Sequence, residues 1–252
     1  MILNNSQLAF FELLRAGLWE KEGRLSMLSI IDFKDVYRIA EEQSVVGLVA
    51  AGLEHITDIS APKEDILKFV GQAIQIEQRN RSMNEFVAHL TEQLRDMNVY
   101  SILVKGQGVA QCYERPLWRT CGDVDLLLSV SNYLQAKSFL IPLANFVAPE
   151  DVSHKHLGLT INSWVVELHG SLHSGLTCMI DRGLDSVQDD VFCGGNVRTW
   201  MNGKTQIFLP GVDNDIIFIF SHILQHFFKG GIGLRQVCDL CRFLWTYKER
   251  TY

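Results

Sequence analysis

The strongest constraint on the fold is a change of period near residue 98. Across residues 62–98, Ile66, Phe69, Val70, Ala73, Ile74, Ile76, Met83, Phe86, Val87, Leu90, Leu94 and Met97 recur near the helical repeat with charges between them. That spacing predicts an amphipathic helix. Pro62 stands where it can open the helix, because a first turn tolerates proline. Directly afterwards, residues 99–104 read VYSILV, a short apolar run of β-formers, and Lys105-Gly106-Gln107-Gly108 follows. Such a run bounded by glycine predicts a strand ending in a turn.

The rest of the chain extends this contrast. Before residue 62, Phe10, Phe11, Leu13 and Leu14 form one apolar stripe and residues 45–53 another, so residues 6–98 read as helical. After Gly108 comes a helical stretch, VAQCYER, then a loop with Pro116 and a strand candidate at 123–130. A helix is expected over 133–140. Strand candidates at 156–161 and 163–168 are split near Asn162 and read as a hairpin. A second hairpin is expected over 197–209, where Asn202-Gly203 signals a type I′ turn. Residues 183–196 read as a polar loop, and 213–245 as helix broken at Gly230, Gly231 and Gly233. The expected fold class is α+β, a mixed β-sheet core flanked by N-terminal and C-terminal helices. The expected domains are a helical region at 1–98, an α/β core at 99–210 and a helical region at 211–252.

Composition narrows the partners. With 47% hydrophobic and 21% charged residues in 252, the chain has ample material for a core. Lysine plus arginine (23) against aspartate plus glutamate (29) leaves a net charge of −6. Proteins that hold long nucleic acid usually carry a basic field, so no such partner is expected. Six scattered cysteines in a chain of this size do not make a disulfide framework. The N-terminus lacks the basic start and apolar block of a secretory signal. No uncharged run is long enough to span a bilayer. These features read as a cytoplasmic protein with reduced thiols and no membrane partner.

Chemistry concentrates in residues 103–128, LVKGQGVAQCYERPLWRTCGDVDLLL. A strand runs into Gly106, where the backbone can turn tightly and approach a ligand. The N–H groups that open the next helix suit a phosphate. Asp123 and Asp125 then alternate on a strand, so both project from one face while Val124 enters the other. Two carboxylates that close repel unless cations neutralise them, and oxygen ligands of this kind suit Mg²⁺. Glu167, at the end of the apolar run WVVEL, completes a three-carboxylate cluster if its strand lies beside that of Asp123.

These residues carry a resemblance. Lys105-Gly106, Tyr113, Arg119, Asp123-Val-Asp125-Leu, Glu167-Leu-His169 and the helical Leu234-Arg235 with Asp239-Leu240 resemble the DNA polymerase β-type nucleotidyltransferase superfamily, and within it a bacterial branch called the uncharacterised nucleotidyltransferase family. The resemblance spans roughly residues 99–244. It implies a two-metal-ion enzyme that moves a nucleoside monophosphate from a nucleoside triphosphate, expected to be ATP, to a hydroxyl of a small-molecule or protein acceptor. Asp123, Asp125 and Glu167 are implied as catalytic and metal-binding, with Mg²⁺ or Mn²⁺ as the ion. Lys105, Gly106, Gln107, Gly108 and Arg119 are implied as nucleotide-binding. Gln107 departs from the Gly-Gly or Gly-Ser common at this turn, so backbone amides would replace a serine contact to phosphate. That departure favours the alternative, a non-catalytic nucleotide- or partner-binding module on the same fold. Relatives of this kind continue with further helices beyond the point where this chain stops, so the chain reads either as truncated or as a short member.

Other pairings have plainer readings. His222 and His226 stand four apart, and Cys238 and Cys241 three apart, on helical segments. Zinc is conceivable there, but neighbouring Phe218, Leu224 and Leu240 favour core packing, in which cysteine acts as a small hydrophobe. Arg235 and Asp239 are spaced for an ion pair. His169 shares the strand face of Glu167 and is expected to border the site, whereas His154 and His156 read as loop histidines without a role.

Overall fold

The computed structural model describes residues 3–249, so the end of the expected C-terminal helical region, 250–252, lies outside the described residues. The chain divides into two compact units. One combines residues up to 81 with 110–120 and 233–242; the other combines 82–109, 121–232 and the residues from 243 onward.

The first unit is helical. It holds α1 (Asn5–Trp19), α2 (Phe33–Glu42), α3 (Val46–Glu54) and the start of α4 (Lys63–Asp96). Local chemistry sets these boundaries. Asn4 and Gln7 form a reciprocal capping box on α1, and the Asp32 carboxylate accepts from the Lys34 and Asp35 backbone N–H groups to start α2. α4 begins one residue after Pro62, as its helical period predicts.

A buried polar network ties the 110–120 and 233–242 segments of this unit. Arg119 grips Asp239 through two parallel bonds, Nε to Oδ1 at 2.7 Å and Nη2 to Oδ2 at 2.6 Å. The Tyr113 hydroxyl donates to the same carboxylate at 2.7 Å. The expected pairing of Arg235 with Asp239 is corrected: Arg235 donates to the Thr120 carbonyl at 3.2 Å, and Asp239 takes Arg119, whose planar fork matches a carboxylate. Asp239 is buried on α9 (Leu234–Thr246) together with Arg242, which donates to the Cys112 carbonyl.

The second unit is a sheet with helices on its faces. Seven strands among the described residues run in the order β3 (Phe146–Val147), β4 (His156–Ile161), β5 (Trp164–His169), β2 (Asp123–Leu128), β1 (Ser101–Val104), β7 (Thr205–Pro210), β6 (Val197–Asn202). The pairs β2–β5 and β1–β7 are parallel, and the other neighbours are antiparallel. The sheet is therefore mixed, as the α+β reading expects.

Alternation sorts its two faces. Leu103, Val124, Leu126, Leu128, Leu157, Leu159, Val166, Leu168, Ile207 and Leu209 enter one core with Met83, Val87, Leu90 and Leu94 of α4 and Tyr133 of α6 (Val130–Leu140). On the opposite face Ile102, Val104 and Leu127 meet Leu184, Val187 and Val191 of α7 (Cys178–Phe192) and Phe218 of α8 (Val212–Lys229).

Several local expectations change. Residues 183–192 belong to helix α7 rather than a loop: Thr177 caps it, Asp181 sits in its first turn, and Leu184, Val187 and Val191 form a buried stripe among the acids. The second hairpin turns at Gly203-Lys204, with Asn202 paired to Thr205. Positive φ occurs at Gly203 (62°) and at no neighbouring position, the pattern of a type II′ turn, which wants glycine first. The helix after Lys105 is only α5 (Gly106–Ala110), and residues 111–115 form turns. No helix among the described residues is long and apolar enough to cross a membrane.

Candidate active site

The opposite face of the sheet changes character at β2, β5 and β4. Ile102, Val104 and Leu127 cover the apolar part, and the same rows then continue into acids and imidazoles. Parallel pairing sets Asp125 beside Glu167 and Asp123 beside Val165. Antiparallel pairing sets His156 opposite His169 and Gly158 opposite Glu167. Because registered partners share a face, Asp123, Asp125, Glu167, His169 and His156 project to one side. β1 ends at Val104, paired with Asp125, so Lys105 leaves the sheet beside that carboxylate.

Lys105 carries φ +56° and Gly106 φ +27°. A left-handed residue that is not glycine costs energy and marks a turn held by its surroundings. Its ammonium bonds Asp125 Oδ1 at 2.8 Å, and His169 Nε2 donates to the same oxygen at 2.9 Å. Asp125 is only 2% exposed. Burial alone would raise its pKa, but the Lys105 charge and the His169 and Lys105 hydrogen bonds hold it well below the usual carboxylate range. For Lys105, burial pulls down while Asp125 and its neighbouring acids pull up, and the net direction is up. Burial and the Lys105 charge push His169 down, so it is neutral near pH 7 despite Asp125.

A cavity of about 430 Å³ opens over these groups. Glu167 Oε2 lies 3.3 Å from His156 Nε2 and 3.6 Å from His169 Nε2. The ligand atoms of His156, Glu167 and His169 all fall within 4.8 Å of one another. His156 is pushed up, first by its hydrogen bond to Glu167. From α8, His222 lines the cavity and is pushed down to about 3 by burial and the Lys105 charge. Its Nε2 lies 3.1 Å from that of His226.

The residues expected from the sequence fall in different settings. Lys105 and Glu167 line the cavity, Asp125 is buried beneath it against Lys105, and Asp123 opens the strand that carries Asp125. Gly106 and Gly108 are buried in the turn and first helical turn after β1. The Gln107 side chain is buried, with its amide nitrogen against Met83 Sδ. Arg119 belongs to the helical unit and holds Asp239 there.

Two histidines enter that the sequence reading left without a role. His156 sits in the first position of β4, and its place was available from the hairpin: Ile161 opposite Trp164 across Asn162-Ser163, stepped back five residues on each strand, brings His156 opposite His169. His154 lines the same cavity and bonds Asp151 at 2.8 Å. His173, between β5 and α7, lines it as well and bonds Asp185 of α7 at 2.7 Å.

Comparison with known proteins adds a family. The family model described as an uncharacterised nucleotidyltransferase matches residues 29–251. Among solved structures, an antigenic nucleotidyltransferase-like protein from Paracoccidioides brasiliensis is similar at 13% identity and a TM-score of 0.42, over 64% of this chain and 74% of that one. No curated protein matches.

Proposed function

The chain belongs to the uncharacterised nucleotidyltransferase family, and from that premise we propose that it transfers a nucleoside monophosphate from a nucleoside triphosphate to an acceptor hydroxyl at the cavity lined by Lys105 and Glu167, with Asp125 beneath it. The observation that carries the reading is the register of Asp125 with Glu167 on neighbouring parallel strands, beside the lysine that follows β1. Residues 99–210 are the catalytic core of this proposal, with helical regions at 1–98 and 211–252.

The donor chemistry fits a hard divalent cation. Asp123, Asp125 and Glu167 offer carboxylate oxygens from one sheet face, and Mg²⁺ binds through a few carboxylates together with substrate phosphates and water. In this proposal those three residues hold Mg²⁺ or Mn²⁺. Such a cation, when bound, would offset triphosphate charge and favour in-line attack.

The chain's own groups do the remaining work. Lys105 holds a fixed positive charge at the floor, where water is partly excluded and charge stabilisation is strongest. The turn at Lys105, Gly106, Gln107 and Gly108 offers backbone N–H groups to phosphate oxygens. Neutral His169 orients Asp125 through its Nε2–H. Glu167 serves the acceptor side, as ligand or as base. As the acceptor oxygen bonds to the α-phosphorus, the bond to the β-phosphate oxygen breaks, the hydroxyl proton leaves and pyrophosphate departs. ATP is the expected donor and a small molecule or protein the expected acceptor, in the cytoplasm.

A second reading, nucleotide binding without transfer, is favoured by one observation: Lys105 and His169 already offset the Asp125 charge. Calorimetric titration of ATP, GTP, CTP and UTP with Mg²⁺ or Mn²⁺ into wild type and Asp123→Ala/Asp125→Ala tests both. Metal-dependent binding lost in the double variant supports the site, and pyrophosphate release with an acceptor extract supports transfer over binding alone. A folded wild type that binds none of the four with either metal sinks the proposal.

A further inference from the structure

We infer that His156, Glu167 and His169 form a binding site for a transition-metal dication of the Zn²⁺ or Co²⁺ kind, which shares Glu167 with the proposed Asp123–Asp125–Glu167 set and adds two imidazoles. The inference deepens the proposed function by giving the acceptor side its own ion. The binding claim itself needs no nucleotide.

Geometry is the first support. In a tetrahedral site with bonds of about 2.0–2.1 Å, neighbouring ligand atoms stand roughly 3.4 Å apart. Glu167 Oε2 lies 3.3 Å from His156 Nε2 and 3.6 Å from His169 Nε2. The three ligand atoms converge within 4.8 Å without any change of strand register.

Position is the second. The two histidines are cross-strand partners and Glu167 lies two residues from His169, so one rigid hairpin supplies all three ligands. Rigid strands hold ligands in place better than loops do. Three protein ligands leave a fourth position, the arrangement of zinc sites that bind water or substrate. That position opens on the cavity that Lys105 and His222 also line, the space a phosphate or acceptor hydroxyl would enter.

Ligand chemistry decides the ion. Imidazole suits zinc and its neighbours, whereas Mg²⁺ prefers oxygen and keeps its waters. Ligation uses the lone pair of His169 Nε2, so that imidazole must carry its proton on Nδ1. Asp125 then loses the His169 bond and keeps Lys105.

The test is a Co²⁺ titration of the full chain after chelator dialysis, followed by visible ligand-field absorption and by calorimetry, with Mg²⁺ in large excess as competitor. Expected are one tightly bound Co²⁺ per chain, resistance to Mg²⁺, and affinity at least about 100-fold weaker in His156→Ala, because losing only an outer-shell partner of a ligand already costs about 10–100-fold. Glu167→Gln provides a second variant, and far-UV circular dichroism checks the fold of each. Asp123→Asn, outside the ligand set, is expected to keep the Co²⁺ spectrum while losing metal-dependent nucleotide binding. Absence of tight Co²⁺ binding in wild type, equal affinity in folded His156→Ala, or displacement by Mg²⁺ overturns the inference. Failure of nucleotide binding with the Co²⁺ spectrum intact counts against the proposed function and leaves this site standing.

Discussion

Replacing Lys105 with methionine isolates the charge at the centre of the site. Its ammonium lies 2.8 Å from Asp125 Oδ1, with the side chains 17% and 2% exposed. At an effective dielectric near 20, opposite unit charges at that separation attract by about 6 kcal/mol before desolvation is counted. Removing one partner of a buried pair costs about 3–5 kcal/mol, because the other charge stays buried. His169 still donates to Asp125 in the variant, which places the expected loss near the lower end, about 3 kcal/mol. For a chain of this size that corresponds to a fall in Tm of roughly 6–12 °C.

The pH dependence separates this cause from lost packing. In wild type the folded pKa of Asp125 is depressed. Its stabilisation is therefore present above the ordinary carboxylate pKa and lost as pH falls through the folded value. In Lys105→Met, burial dominates and the folded pKa rises. The variant's deficit should be largest near pH 8 and shrink as the buffer approaches about pH 4, where Asp125 takes up a proton. Adding Asp125→Asn should recover most of the loss, giving a coupling of about 2–3 kcal/mol in the double-mutant cycle. Differential scanning fluorimetry of the four proteins at both pH values is sufficient. A deficit that does not change with pH, or losses that simply add, would refute the argument.

Two other perturbations test buried charges elsewhere in the chain. Arg119→Met strands Asp239, which two Arg119 nitrogens and the Tyr113 hydroxyl hold, and should cost about 3–5 kcal/mol in urea unfolding; a change under about 1 kcal/mol would mean that water reaches the site. Burial pushes Asp215 from 3.8 up to about 6 against the pull of Arg198, so the folded state keeps a proton that the unfolded state has released. Stability should fall as pH rises across that window and level off above it, and thermal melts of Asp215→Asn should lack that slope.

Much of this site could be read from the sequence because strands alternate and tight turns count residues. DVDLLL places two carboxylates on one face, and the apolar letters between them predict the opposite core that Val124, Leu126 and Leu128 enter. The hairpin at Asn162, with φ +56°, was recognisable, but the facing pair His156 and His169 follows only once the turn is fixed at Asn162-Ser163, a residue later than the split expected. What stayed hidden depends on pairing between strands far apart in the chain. Nothing local says that β2 runs parallel to β5 with Asp125 level with Glu167, or that β1 ends where its lysine reaches the same oxygen. The packing beside the cavity is of that kind too. α7 carries enough acid and glycine to read as a loop, and becomes a helix because Leu184, Val187 and Val191 find the apolar half of the sheet. Once α7 and α8 cover that half, the rows of acids and imidazoles beyond it are left facing a partly enclosed space. The burial that makes Asp125 depend on Lys105 is thus a consequence of packing around the carboxylate as much as of the motif that contains it.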